Sequence, residues 1–245
     1  MAEHSTGFRP PNIKATTPLQ SALCSARAPF QAILSDTHSG AAQRRLAVIP
    51  RRAALILAAG ASERMGTPKA LLPWGNTTLL EYTLQQARAA AVSDIVVVLG
   101  PATRHLDGLL GEDVHVAFNL EPESGRSASI RIGSESLSED VRSIVIQSVD
   151  QPVGADVLNE LFDAASRGAD VVVPTHNGRR GHPICIAGRL LPELRIVTEE
   201  NEGLRSVVRA HAERLVEVPV DSESVLWNLN DPAAYAAARG SAVQP

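Results

Sequence analysis

The sequence predicts a three-layer α/β/α fold of the Rossmann-like type, in which a mostly parallel sheet lies between two layers of helices. From Ala53 onward, short apolar runs alternate with segments whose apolar residues recur at helical spacing. This alternation is typical of parallel strands joined by helical crossovers. The run at 54–58 is apolar at every position, as expected for a strand buried on both faces. No run approaches the roughly 20 apolar residues that span a bilayer, so we expect no membrane contact.

The predicted elements follow one another in a regular order. Five strands are predicted, over residues 54–58, 95–99, 115–118, 143–149 and 170–174. A helix is predicted over 78–92, because its apolar residues fall on one face at helical spacing. The residues on that face are Leu80, Leu84, Ala87 and Ala91. Helical stretches also precede the fourth and fifth strands. Because ligands of such folds collect at the carboxyl ends of the strands, the residues after each strand are candidates for a functional site.

Length and charge narrow the class of protein. The chain has 245 residues and a formal net charge of -4. The length suits one sizeable α/β domain, and the charge gives no reason to expect nucleic acid as a partner. The two cysteines, Cys24 and Cys185, are too few and too far apart for a disulfide framework. We therefore expect a reduced, cytoplasmic setting.

Residues 1–50 differ from the rest of the chain. They mix Ser, Thr, Ala, Pro and Arg, contain only Glu3 and Asp36 as acidic residues, and sustain no helical or strand period. We expect a disordered extension, or a spurious one from a start codon placed too far upstream, followed by a single domain over 51–240. An organelle transit peptide is the alternative, because such peptides are also rich in Arg and Ser and poor in acidic residues.

The first strand leads into a glycine-containing loop. Gly60 and Gly66 let the backbone turn sharply and present N–H groups to phosphate oxygens, and Arg64 and Lys69 add positive charge. The spacing matches neither the G-x-G-x-x-G dinucleotide fingerprint nor the Gly-Lys-Ser/Thr of a Walker loop. On composition alone, a glycine-rich turn with solvated basic residues explains the segment equally well.

Oxygen-bearing side chains follow the fourth strand and recur near the C-terminus. Asp150 ends the fourth strand, where a carboxylate facing a phosphate loop could hold Mg²⁺; the alternative is a cap on the helix that begins near Val153. Asn228 and Asn230 precede Pro232. Their amide oxygens could coordinate the same metal, or could form an Asx turn before a helix.

Two further segments are candidates for substrate binding. Asn119 follows the third strand, and Ser127 lies at a predicted helix start that would suit an anionic group or, alternatively, a serine N-cap. The turn at 177–183 contains the basic pair Arg179 and Arg180, followed by His182. His182 could contact a substrate, or could make a structural hydrogen bond within the turn.

The loop sequence L-A-A-G-A-S-E-R-M-G-T-P-K, residues 57–69, resembles the signature L-A-A/G-G-x-S-x-R-M-G-x-x-K of the nucleotidyltransferases that mature the molybdenum cofactor. The segment from Asn119 resembles that family's N-x-x-x-x-x-G-M-x-x-S-L, with Arg126 where Met is usual. The turn that contains His182 resembles the G-x-R-G-H-P turn of its cytidylyl branch, where the acceptor is expected to dock. The segment 227–232 resembles its second metal segment, with asparagines in place of acidic residues.

The resemblance implies a nucleotide-diphospho-sugar transferase type of fold and a set of site residues. The implied catalytic residues are Arg64, Lys69 and Asp150. The implied nucleotide-binding residues are Leu57, Ala58, Ala59, Gly60, Ser62, Gly66, Asn119 and Ser127. The implied ligands of Mg²⁺ (or Mn²⁺) are Asp150 and Asn230.

The reaction implied by the resemblance is transfer of CMP from CTP to molybdenum-bearing molybdopterin, with release of pyrophosphate. Ala58-Ala59-Gly60 and the His182 turn favour this cytidylyl branch, and the Ala59 methyl group would crowd a purine base. Asn228 and Asn230 favour a guanylyltransferase that uses GTP instead. The resemblance also leaves open an NAD(P)H-dependent oxidoreductase resembling the one that acts on nicotine blue, and a non-catalytic chaperone for the cofactor. A molybdenum hydroxylase is the expected recipient of the product.

Overall fold

A computed structural model of the protein describes residues 51–60, 62 and 65–242. The predicted N-terminal extension, residues 1–50, lies outside this described part. The strands are β1 (Arg52–Ala58), β2 (Pro73–Trp74), β3 (Thr77–Thr78), β4 (Asp94–Leu99), β5 (Val114–Phe118), β6 (Ser143–Ser148), β7 (Val171–His176), β8 (Arg179–Arg180), β9 (Ile184–Ala187) and β10 (Leu215–Pro219). The α-helices are α1 (Leu79–Ala89), α2 (Arg126–Glu135), α3 (Ala155–Ser166), α4 (Leu191–Leu194), α5 (Leu204–Ala210) and α6 (Pro232–Ala242).

The central sheet has the strand order β10-β7-β9-β6-β1-β4-β5, with β8 paired to β7. The first predicted strand, β1, lies at its centre and pairs in parallel with both β4 and β6. The short strand β9 is antiparallel to both β6 and β7. The mostly parallel sheet is therefore confirmed. The strands β9 and β10 were not among the predicted elements.

The core lies on both faces of this sheet. Alternate residues of β1 point to opposite sides: Ile56 belongs to one apolar cluster and Leu55 to the other, and both are fully buried. The first cluster contains residues of α1 and α3, such as Leu84 and Phe162. The second contains residues of α2, α4 and α5, such as Ile130. Two helical layers therefore cover the sheet, and the predicted three-layer α/β/α architecture is confirmed.

Helix starts differ slightly from the predicted positions. Helix α1 begins one residue after Thr78, whose side chain accepts the backbone N–H of Glu81 while the Glu81 carboxylate accepts the backbone N–H of Thr78. This reciprocal capping fixes the start of the helix. Helix α3 begins after Gly154, and α2 begins after Gly125. Among the described residues, no helix has the length and apolar character needed to cross a membrane.

An aromatic cluster joins the C-terminal segment to the body of the domain. Trp74 packs against Tyr82, Trp227 and Tyr235, with ring centroids 5.9 to 6.4 Å apart. These side chains come from β2, α1, the segment before α6, and α6 itself. The cluster therefore stabilises the return of the chain's end toward the carboxyl edge of the sheet.

Candidate active site

The carboxyl ends of β1 and β6 and the loop after β1 border a cavity of about 270 Å³. The residues that line it are Leu57, Ala58, Ala59, Gly60, Ser62, Lys69, Ala70, Pro122, Gly125, Arg126, Ser129, Ser148, Val149 and Asp150. Most of the predicted nucleotide-binding residues are among them, together with Lys69 and Asp150. Arg64 lies outside the described residues, and its role stays a prediction.

Thr103 anchors the end of β1. Its Oγ1 donates to the carbonyl of Ala58 at 3.0 Å and accepts the N–H of Gly100 at 2.9 Å. Gly100 lies so close to the loop that a Cβ at this position would run into the carbonyl oxygen of Ala59. The first residues of the glycine loop are therefore held in place before the chain leaves the sheet.

Ser62 closes the loop onto Lys69. Its Oγ accepts the backbone N–H of Lys69 at 3.0 Å, and its carbonyl accepts the N–H of Met65 at 2.8 Å. Ser62 has a φ of 57°, a conformation that is uncommon for a residue with a side chain. Gly66 turns the chain with a φ of 64° but does not line the cavity. Ser62 thus positions the lysine in addition to its predicted contact with the nucleotide.

The ammonium group of Lys69 lies between two side-chain oxygens. Its Nζ donates to Asp150 Oδ2 at 2.6 Å and to Asn230 Oδ1 at 2.6 Å. The side chains of Lys69 and Asp150 are only 15% and 14% exposed. This ion pair is therefore far more shielded than the surface pairs that contribute little to stability. Residues predicted from three separate segments of the sequence meet at this point.

Backbone pairing explains how Asn230 reaches the site. The N–H of Leu229 donates to the carbonyl of Asp150 at 3.0 Å, and the Leu229 side chain is almost fully buried. Asp231, the next residue after Asn230, accepts the backbone N–H of Ala234 at the start of α6. The chain is thus fixed on both sides of Asn230, so its amide faces Lys69.

The oxygen atoms here suit a hard divalent cation. Asp150 Oδ1 is buried and has no hydrogen-bond partner among the described residues. Together with Asp150 Oδ2 and Asn230 Oδ1, it gives a set of oxygen donors of the kind that Mg²⁺ and Mn²⁺ prefer. The described residues contain no group of three or more His, Cys, Asp and Glu side chains arranged so that they could hold a metal ion. A metal here would therefore draw most of its ligands from water and substrate phosphates, as Mg²⁺ commonly does.

Asn119 and Ser127 do not line this cavity, and their predicted contact with the nucleotide stays a prediction. Both side chains are buried. Asn119 donates to Ser129 Oγ at 2.9 Å and accepts the N–H of Glu121 at 3.0 Å. The backbone N–H of Ser127 donates to the Glu199 carboxylate at 2.7 Å, and this lowers the pKa of the Glu199 carboxyl. The Glu199 carboxylate therefore occupies the start of α2, where the sequence suggested that an anionic group could bind.

Two helix-capping roles that the sequence also allowed are wrong. Asp150 does not cap α3, whose N-cap is Gly154. Ser127 is not the N-cap of α2, whose N-cap is Gly125. The residue that caps α6 is Asp231, and the amide of Asn230 binds Lys69 instead.

A second cavity, of about 670 Å³, adjoins the first at Arg126, which lines both. His182 lines it, and its backbone N–H donates to the carbonyl of Val225 at 2.7 Å. A Cβ at Gly181 would run into that same carbonyl, which explains the glycine before the histidine. Burial and the charge of Arg126 lower the pKa of His182, so the imidazole is neutral at pH 7.

Sequence reasoning did not assign a role to several residues of the site. The first cavity is also lined by Arg126, Ser129 and Ser148. The carboxylate of Glu199 contacts the start of α2. In the sequence, Arg126 stands out only because it occupies a position where the resembled family usually has Met. Nothing in the sequence indicates that Glu199 returns to α2, because that contact depends on the tertiary fold.

The fold resembles solved structures of nucleotidyltransferases. A structure described as a nucleotidyl transferase from Methanothermobacter thermautotroptrophicus is 25% identical, with a TM-score of 0.66, over 79% of this chain and 98% of that one. The homologue of Rv0371c from Mycobacterium sp. strain JC1 is 25% identical, with a TM-score of 0.67, over 79% of this chain and 97% of that one. The fold and site define a nucleotidyltransferase of the nucleotide-diphospho-sugar transferase type.

The family model described as the MobA-like NTP transferase domain matches residues 54–215, more than half of the chain. The chain belongs to this family. Three relatives with different activities are similar to it. Nicotine blue oxidoreductase of Paenarthrobacter nicotinovorans is 28% identical, over 66% of this chain and 83% of the relative. The molybdenum cofactor cytidylyltransferase of Escherichia coli is 25% identical, over 54% of this chain and 68% of the relative. A probable molybdenum cofactor guanylyltransferase of Bacillus mycoides is 29% identical, over 52% of this chain and 64% of the relative.

Proposed function

We propose that this nucleotidyltransferase transfers CMP from CTP to molybdenum-bearing molybdopterin and releases pyrophosphate. The observation that carries the proposal is the meeting of Lys69, Asp150 and Asn230 beside the Ala58-Ala59-Gly60 loop. A cation, a carboxylate and an amide oxygen at the mouth of a backbone-lined cavity are the groups that binding a triphosphate with its metal requires.

The reaction is an in-line displacement. An oxygen of the acceptor's phosphate forms a bond to the α-phosphorus of CTP, and the bond from that phosphorus to the bridging oxygen of the β-phosphate breaks. Pyrophosphate leaves with the electron pair of that bond. The attacking phosphate is already anionic at pH 7, so the step transfers no proton and needs no general base. Positioning and charge neutralisation therefore supply the catalysis.

The residues of the chain divide this work. The N–H groups of the loop after β1 bind phosphate oxygens, and Ser62 fixes the position of Lys69. A bound Mg²⁺ or Mn²⁺ would be held by Asp150 and Asn230, and it would neutralise charge on the triphosphate. Lys69 holds the side chains of Asp150 and Asn230 in place. Its ammonium group would also donate to the triphosphate and stabilise the leaving pyrophosphate.

The choice of CTP over GTP rests on the loop. Relatives of both kinds are similar to this chain, at 25% and 29% identity. Ala59 borders the cavity, and its side chain is 3% exposed and packs in the core cluster that contains Val98. Its methyl group therefore acts on the base by setting the position of the loop, rather than by projecting into the cavity. Asn230, which favours the guanylyl branch, binds Lys69. It would act on the metal, which CTP and GTP would both need, and so it does not distinguish the two nucleotides.

An oxidoreductase is the second candidate function. It is favoured by one observation, the similarity to nicotine blue oxidoreductase over 83% of that relative's length. A pyridine dinucleotide also carries a pyrophosphate, which the same loop could bind. The cytoplasmic setting and delivery of the product to a molybdenum hydroxylase stay predictions from the sequence.

The test is a nucleotide panel. The full chain is incubated with Mg²⁺ and each of CTP, GTP, ATP and UTP, with and without molybdenum-loaded molybdopterin, and pyrophosphate is measured. We expect release that requires the acceptor and is fastest with CTP. Parallel reactions with NADH or NADPH and nicotine blue are followed at 340 nm. Oxidation of the dinucleotide without pyrophosphate release in the panel would replace the proposal with the oxidoreductase.

A further inference from the structure

Arg126 lies where the two cavities described above meet. It is the first residue of α2, and it follows Gly125, whose φ of 105° turns the chain into the helix. Its side chain lines the first cavity together with Lys69 and Asp150, and the second cavity together with His182. A group bound by Arg126 would therefore be in reach of both spaces.

The guanidinium of Arg126 is available to a ligand. Among the described residues, no side chain or carbonyl forms a hydrogen bond or ion pair with it, whereas Arg52, Arg88 and Arg180 each pair with a carboxylate. The side chain is accessible because it borders open cavities, yet enough protein surrounds the guanidinium to lower its pKa. Arginine keeps its charge in such surroundings, and the nearby carboxylates of Asp150 and Glu199 favour the charged form without forming an ion pair with it.

The neighbouring helix start does not take over this role. The backbone N–H of Ser127 already donates to the carboxylate of Glu199 at 2.7 Å. A Cβ on Gly203 would meet the Ser127 side chain, so the segment after Glu199 packs closely against the start of α2. An incoming anion at this point would therefore be bound by the Arg126 side chain rather than by the helix terminus.

The second cavity has the size and lining of a site for an organic molecule. Its volume of about 670 Å³ lies within the range of roughly 300–1,000 Å³ typical of small-molecule sites. Its apolar wall is formed by Val173, Ile184, Leu204, Val208 and Leu215. Of the other arginines that line it, Arg180 and Arg209 are paired with Glu217 and Glu202, whereas Arg205 is exposed on α5 and does not line the first cavity.

We propose that Arg126 binds the phosphate of the acceptor at the junction of the two cavities, and that the ring-bearing body of this phosphate monoester enters the second cavity. The inference rests on the proposed function, in which that phosphate attacks the nucleotide. It makes Arg126 a specificity-determining residue, because its charge at the junction of the cavities would select an acceptor that carries a phosphate. The neutral imidazole of His182 would offer that body a hydrogen bond.

The test uses three probes and a matched control. Isothermal titration measures binding of 4-methylumbelliferyl phosphate, of 4-methylumbelliferone, which lacks the phosphate, and of CTP with Mn²⁺. The proteins are the wild type, Arg126→Met, Arg126→Lys and Arg131→Met. Arg131 lies on the exposed face of the same helix and lines neither cavity, so the same substitution there removes a charge without touching the site.

We expect Arg126→Met to weaken binding of the aryl phosphate at least tenfold, because charge-assisted hydrogen bonds to the phosphate are lost. Arg126→Lys should lose less. Binding of 4-methylumbelliferone should change less than twofold, binding of CTP should weaken less than binding of the aryl phosphate, and Arg131→Met should match the wild type with every probe. The proposal is overturned if the wild type does not bind the aryl phosphate, if Arg126→Met leaves its binding unchanged, or if the variant weakens CTP equally. Failure of the wild type to bind CTP would instead refute the proposed function.

Discussion

Replacing Lys69 by methionine should reduce stability in the absence of metal and increase the affinity for metal. Methionine keeps an unbranched side chain but removes the ammonium that lies 2.6 Å from Asp150 Oδ2 and 2.6 Å from Asn230 Oδ1. Surface ion pairs contribute about 0–1 kcal/mol, whereas breaking a buried pair costs about 3–5 kcal/mol. With side chains 15% and 14% exposed, this pair lies nearer the buried case, and we expect a loss of about 2–3 kcal/mol.

A loss of that size should lower the melting temperature by about 4–12 °C, since each kcal/mol corresponds to about 2–4 °C in a domain of this size. Mn²⁺ should reverse the loss in the variant, because it supplies the positive charge that Asp150 then lacks. A concentration about 100 times the dissociation constant stabilises by about 2.7 kcal/mol. In the wild type the metal must first displace Lys69, so we expect its affinity without nucleotide to be at least tenfold lower than in the variant.

The assay is differential scanning fluorimetry across a Mn²⁺ titration, with free Mn²⁺ measured by electron paramagnetic resonance. Arg52→Met is the matched control, because Arg52 pairs with Asp163 and Asn159 at the amino end of β1, the end opposite the site. It should lose stability that Mn²⁺ does not restore. An unchanged melting temperature in Lys69→Met, or Mn²⁺ binding no tighter than in the wild type, would refute the view that Lys69 holds the metal ligands.

Three further outcomes are expected. Gly100→Ala should destabilise the domain by about 1–3 kcal/mol and weaken CTP binding, because the new Cβ meets the Ala59 carbonyl; equal melting curves and affinities would contradict this. CTP should be preferred over GTP by at least tenfold in kcat/KM, about 1.4 kcal/mol, and Ala59→Gly should reduce that preference; unchanged selectivity would remove Ala59 from the argument. Deleting residues 1–48 should leave pyrophosphate release and the melting temperature nearly unchanged, and a fall of more than several degrees would show that the segment stabilises the domain.

Much of the fold could be predicted, because a continuous apolar run indicates a strand that is buried on both faces. The run at 54–58 is apolar throughout, and β1 is indeed buried between two helical layers. The antiparallel strand Ile184–Ala187 could not be recognised in the same way. Its four residues form too short a run to distinguish a strand from other buried segments, and nothing local indicates insertion between β6 and β7.

The site was predictable where residue type and position both pointed to it. The loop after β1 and Asp150 after β6 were found because the carboxyl ends of neighbouring parallel strands meet at one edge. The pairing of Lys69 with Asn230 spans most of the domain and depends on the hydrogen bond from Leu229 to the Asp150 carbonyl, which no local pattern encodes. Arg126 was missed for the same reason, because its position between two cavities depends on the tertiary fold.

The most direct test of the central claim is acceptor-dependent pyrophosphate release from CTP by Asp150→Asn. Asparagine keeps the shape of the side chain but removes the charge that pairs with Lys69 and would hold the metal. We expect unchanged circular dichroism and turnover lower by about 10²- to 10³-fold, the range typical for loss of one group that stabilises the transition state. Asp156→Asn, a change at an exposed carboxylate in the first turn of α3, should leave turnover unchanged. Wild-type turnover in Asp150→Asn across Mg²⁺ concentrations would contradict the assignment of this site as the nucleotidyl-transfer centre.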